Sequence, residues 1–162
     1  MLTRMKKKAN QKGFSLLEVL VFITILNIVF VAAISLIIGS LYRMQINIHK
    51  QHATFYAEEL KEWLNSEREV DWIGLQAKTG NTYCVNTQLN LQSTFSNFTT
   101  GTCTYSGIGS NNPRIFRRQL TLTQTSSTQI AANIDVSWNE AAPNGSIQQY
   151  NQTIKTIYTA WQ

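Results

Sequence analysis

Between Glu18 and Arg43 the chain reads VLVFITILNIVFVAAISLIIGSLY, uncharged throughout and interrupted only by Thr24, Asn27, Ser35 and Ser40. At ~1.5 Å per residue, a helix over this run is long enough for the roughly 30 Å of bilayer hydrocarbon. A core helix would need cover on every side, because apolar residues occupy its whole circumference. The part of a 162-residue chain left outside the run is too small to supply that cover. A cleaved secretory signal would have an apolar region of only ~7 to 15 residues before a small-x-small site. Ala32 and Ala33 come nearest to such a site, yet Ile34 to Ile38 carry the apolar run past them. The expected element is a retained membrane helix.

Charge is distributed unevenly around this segment. Five of the 14 basic residues, Arg4, Lys6, Lys7, Lys8 and Lys12, precede Phe14 with no acid among them, and the other nine balance the nine acids. A basic flank of this kind stays cytoplasmic, which places everything after Tyr42 across the membrane. The high isoelectric point therefore belongs to an N-terminal tail, which argues against nucleic acid as a partner of the remainder.

The junction itself reads Lys12-Gly13-Phe14-Ser15-Leu16-Leu17-Glu18-Val19-Leu20. KGFSLLEVL behind a short basic leader resembles the processing site of type IV prepilins. The resemblance implies that a membrane-embedded aspartyl peptidase cuts between Gly13 and Phe14, and that the same enzyme methylates the new N-terminus at Phe14. A residue without a Cβ before the cut lets the extended chain approach catalytic groups closely. Glu18 becomes the fifth residue of the cleaved chain. An acid at the edge of a lipid-spanning helix is costly unless paired or near headgroups. One reading leaves Glu18 in the interface, favoured by the helix dipole. The other, supported by the resemblance, pairs it with the Phe14 amine of a neighbouring subunit and so sets the register of packed helices. The partners implied are other pilin subunits, the prepilin peptidase and methyltransferase, the pilus assembly platform and the inner membrane.

Beyond the membrane the helix is expected to run on to about Ser66. Ala53, Tyr56, Ala57, Leu60, Trp63 and Leu64 recur in three- and four-residue steps, with Glu58, Glu59, Lys61 and Glu62 on the rest of the surface. No proline interrupts the run, unlike many major pilins, so Asn27 and Gly39 are its softest points. His49 and His52 stand three apart, but no cysteine or carboxylate lies in ligand spacing, so no metal is expected.

After Leu75 the composition turns to Thr, Ser, Asn and Gln. Arg118, Leu120 and Leu122 alternate with polar residues, and Ile130, Ile134, Val136 and Trp138 share one parity. Pro143-Asn144-Gly145 marks a hairpin turn on the grounds that Asn-Gly tolerates positive φ, and Ile147 to Trp161 returns as a further antiparallel strand. The expected fold class is α+β: a long N-terminal helix whose second half packs on an antiparallel sheet of three or four strands. Its divisions are a leader (1–13), a spanning and polymerisation helix (14–42), an amphipathic continuation (43–66) and a β-rich head (67–162). The Trp138 strand, the hairpin, Trp161 and the acidic helix running into Asp71-Trp72 are similar to PilV-type minor pilins.

Cys84 and Cys103 both fall in the exported part, where a disulfide persists; such a bridge would contribute about 3 kcal/mol on the chain-entropy model. Two independent buried thiols are the alternative, and the spacing is wrong for CxxC redox or zinc chemistry. The loop between them, with Phe95, Phe98 and Gly101, is expected to vary freely. No catalytic, nucleotide-binding or cofactor motif is present, so an enzyme is not expected. Arg114, Arg117 and Arg118 are the only basic cluster in the head. They are either a phosphate contact of a DNA-uptake pilin or the charged guard of a strand edge. The expected function is a minor type IV pilin, with a type II secretion pseudopilin or an adhesive pilin as alternatives.

Overall fold

A computed structural model describes residues 15–90, 92–103, 108 and 115–160. The chain divides into two units, Met1–Leu41 and Tyr42–Gln162. Helix α1 (Leu16–Val70) is continuous through both. In the first unit it is apolar and uncovered: its most hydrophobic window has none of its residues buried against protein. Thr24 and Ser35 do not break it, because their hydroxyls donate to the carbonyls of Val21 and Val31, at 2.7 and 2.9 Å. A polar group in lipid has no water to turn to, so this local bonding is what makes the two residues tolerable there.

In the second unit the helix acquires a single buried stripe, Ala53, Ala57, Leu60 and Leu64. The alanines let a sheet approach closely, and the leucines fill the space further along. The helix ends at Val70, four residues beyond the expected Ser66, because Asp71 turns extended (φ −148°, ψ 87°) and caps α2 (Trp72–Gln76) through its carboxylate, 2.8 Å from the Gly74 N–H.

The sheet has five strands, one more than the upper expectation, in the order β2-β1-β3-β4-β5, every neighbouring pair antiparallel. The long strands are β3 (Arg117–Ser126), β4 (Gln129–Ala141) and β5 (Ile147–Thr159). The parity expected for β4 is the one observed: Ile130, Ala132, Ile134, Val136 and Trp138 are all buried. Leu120 and Leu122 join them from β3, and Tyr158 from β5. The additional strands, β1 (Thr82–Cys84) and β2 (Thr99–Thr100), are too short to carry a period of their own.

At the β4–β5 hairpin only Gly145 has positive φ (81°); Asn144 does not. Ala142 O accepts from the Gly145 N–H at 2.8 Å, and the Asn144 carboxamide oxygen accepts from both the N–H and the hydroxyl of Ser146. Asn144 thus acts through its side chain, not through the left-handed backbone that the Asn-Gly pair suggested.

The loop closed by the cysteines also differs from expectation. A 3-10 turn (Phe95–Asn97) drives Phe95 and Phe98 into the core, where both rings lie edge-on to Trp63 at 5.1 and 5.2 Å. Tyr83 meets Phe95 at 5.3 Å. A segment contributing two buried aromatic rings is fixed by burial and edge-to-face packing, not free to vary.

Candidate functional site

Gly13 and Phe14, the expected cleavage and methylation positions, lie outside the described residues. Ser15 immediately precedes α1, its carbonyl accepting from the Val19 N–H at 3.3 Å. Glu18 falls in the first turn and is exposed, at the end where unpaired N–H groups favour negative charge. Glu18 is thus an accessible acid at the mouth of an otherwise apolar, uncovered helix. Such a surface is stable only in lipid or against other apolar helices.

The arginines in the head separate. Arg118 is fully buried and belongs to the inward face of β3, with Leu120 and Leu122. Its guanidinium donates to Glu59 Oε2 and Tyr56 O on α1, both at 2.7 Å, to Val85 O at 3.1 Å and to Thr87 O at 2.9 Å. Burial pulls its pKa below the usual arginine range, while the hydrogen bond and charge of Glu59 push it back. One side chain thereby fastens the helix to the strand leading into the cysteine loop. Arg117, on the opposite face, is half-buried and bonds Ser137 Oγ at 3.0 Å and Cys103 O at 3.3 Å. Arg114 lies outside the described residues. The exposed three-arginine patch expected as a possible DNA contact does not exist as such: strand parity turns Arg118 inward and leaves it no phosphate to meet.

Cys84 and Cys103 are joined, with Cα atoms 4.9 Å apart. The bridge sits at the end of β1, and the next residue's amide, Val85 N–H, donates to Arg118 O at 2.9 Å. Disulfide and arginine network therefore hold the same corner. His49 bonds through Nδ1 to Oε1 of Glu140. Among the described residues no cluster of three metal-ligating side chains occurs. Sequence reasoning missed Glu59 and Glu140, whose partners lie far away in the chain. Arg118 carried a legible signal, its shared parity with Leu120 and Leu122.

The far end of α1 is tied down by Tyr158, whose hydroxyl donates to Lys61 O at 2.9 Å while the Arg68 guanidinium lies 5.9 Å from its ring centre. Burial, followed by the charge of Glu62, raises the Tyr158 pKa well above the usual phenol range.

A bare apolar helix opening on an acid, continued by a buried stripe under a small antiparallel sheet, is a pilin-like layout. Residues 8–34 match the prokaryotic N-terminal methylation motif. The chain carries the type IV prepilin signature, and that match runs from Lys8 in the leader to Ile34, well into the apolar part of the helix. No curated protein and no solved structure matches the chain.

Proposed function

We propose that this chain is a minor structural subunit of a type IV pilus, without catalytic activity of its own. The methylation motif at 8–34 supports a pilin-like or pseudopilin-like protein processed by prepilin peptidase and assembled with other pilins. The observation that carries the reading is that this motif opens a helix whose apolar surface the chain itself leaves uncovered. Such a helix rests in the inner membrane after synthesis, with its leader in the cytoplasm, and in the filament exchanges lipid for neighbouring helices. In this reading cleavage between Gly13 and Phe14 frees an amine at Phe14, which is methylated, and Glu18 of one subunit neutralises that amine on the next.

Glu18→Ala tests the assembly role. Removing an acid from a spanning helix does not hinder insertion, so membrane levels and cleavage stay at wild type. In the filament core the neighbour's amine loses its counter-charge, and an unpaired buried charge costs ~3 to 5 kcal/mol. The expected result is a loss of the subunit from sheared filaments at unchanged membrane level. Equal incorporation would leave Glu18 as an interfacial residue. Intact mass tests the processing separately: the mature chain should start at a methylated Phe14, and filaments retaining Met1 would end the prepilin reading.

A further inference from the structure

The Pro143-Asn144-Gly145 turn is put to no use by the pilin reading. Asn144 is the only asparagine in the chain followed by glycine. It stands between β4 and β5, and Asn144, Gly145 and Ser146 are all exposed. Its carboxamide is held in place: Oδ1 accepts from the Ser146 N–H at 3.1 Å and from the Ser146 hydroxyl at 2.7 Å. A backbone N–H only donates, so it is the oxygen of the carboxamide, not its nitrogen, that faces Ser146. An asparagine bonded two residues ahead in this way folds its side chain over the peptide between, whose nitrogen is that of Gly145.

We propose that Asn144 is a self-modifying site, at which the turn converts the asparagine to a mixture of aspartate and isoaspartate with water as the only co-reactant. The Gly145 amide nitrogen gives its proton to solvent and forms a bond to Cγ of Asn144. The Cγ–Nδ2 bond then breaks, Nδ2 takes up a proton from solvent and leaves as ammonia, and a five-membered cyclic imide remains. Water adds to one of its two carbonyl carbons. Opening between Gly145 N and Cγ gives aspartate. Opening between Gly145 N and the Asn144 carbonyl carbon gives isoaspartate, in which the main chain runs through the former side chain.

The surroundings suit ring closure. Glycine has no Cβ to obstruct the approach of Cγ to its nitrogen, and a Cβ placed at Gly145 would meet nothing within 4 Å, so solvent reaches the amide. The Gly145 N–H donates to Ala142 O at 2.8 Å. That bond lies in the peptide plane, whereas the new bond forms from the face of the nitrogen. Both Ser146 donors sit on the oxygen that becomes negative as Cγ turns tetrahedral. In an enclosed enzyme site one such donor is worth ~10²- to 10³-fold in rate; at an exposed turn water competes, and the hydroxyl accounts for a several-fold difference. Either product adds a negative charge to the hairpin, and isoaspartate also lengthens the main chain inside the turn.

The test holds the full chain in detergent micelles at pH 8.5 and 37 °C and follows it by peptide mapping, with the modified residue located by fragmentation. Asn144 should gain the mass of an amide-to-acid exchange, as two separable isomers, many-fold faster than Asn139 or Asn151. Ser146→Ala should slow the conversion several-fold, and Ser146→Thr, which keeps the hydroxyl, should restore it. In unfolding urea, wild type and Ser146→Ala should convert alike, because the bond to the hydroxyl belongs to the folded turn. Conversion of Asn144 no faster than that of Asn151, aspartate as the sole product, equal rates in folded wild type and Ser146→Ala, or a Ser146→Ala effect that persists in urea would overturn the site.

Discussion

Replacing Arg118 by methionine isolates what the buried guanidinium does, since methionine keeps much of the stem and removes every donor. Four acceptors lose their partner. Tyr56 O lies within α1 and keeps its helical bond; Glu59 is 23 % exposed and turns to water; Thr87 is exposed. Val85, wholly buried, has no such recourse. One stranded buried acceptor costs ~1 to 3 kcal/mol, and breaking a buried ion pair outright costs ~3 to 5 kcal/mol. The partial exposure of Glu59 puts Arg118→Met near the lower end of the latter range, about 3 kcal/mol. Glu59→Gln should cost less by itself, and the double variant less than the two singles together, because the second change removes a group the first has already stranded. Urea unfolding of the full chain in micelles, followed by tryptophan fluorescence, measures all three. Arg118→Met within 0.5 kcal/mol of wild type, the ordinary range of a surface substitution, would refute the buried-clamp account.

Three smaller predictions concern the head. A Cβ on Gly74 would come within 2.1 Å of Asp71 Oδ2, so Gly74→Ala should displace the α2 cap, worth ~1 kcal/mol, and cancel its gain in helix propensity; in an Asp71→Ala background the same change should stabilise. Burial, then the charge of Asp71, raises the pKa of Glu67. Its neutral form therefore favours folding at low pH, a contribution lost as pH rises through the folded-state pKa. Glu67→Gln should then melt higher than wild type at pH 7, and the difference should vanish on acidification. Gly145→Ala, at φ 81°, should destabilise the hairpin by ~1 to 2 kcal/mol, read as a lower thermal midpoint.

The elements legible in the sequence were those whose information is local and repeated. The uncharged run fixed the apolar half of α1, and the three- and four-residue steps from Ala53 to Leu64 fixed its buried stripe. Four positions of one parity, Ile130, Ile134, Val136 and Trp138, marked the inward face of β4, to which the structure adds Ala132. The same rule applied to Arg118 gave the right answer, but the charge pulled the reading outward to a surface patch. Parity prevailed because four oxygen acceptors converge on the buried guanidinium. The short strands were not legible, since two or three residues show no alternation; β1 is held by pairing with β3 and by the bridge, and β2 by pairing with β1. Phe95 and Phe98 could not be placed without knowing that Trp63 lies opposite, nor could Glu140 without His49. On the candidate site, the motif was visible entire, while the contacts within the head required the fold.

The bond between Tyr158 and Lys61 spans 97 positions, and this separation fixes an order of events during synthesis. Ribosomes add roughly 5 to 20 residues per second, so the stripe from Ala53 to Leu64 waits on the order of 5 to 20 s for the last strand to be made. Until then the alanines and leucines have no complete sheet to cover them. A nascent chain in this state exposes the same apolar stripe that the finished head hides, and a holding factor that recognises amphipathic helices would have its best opportunity in that interval.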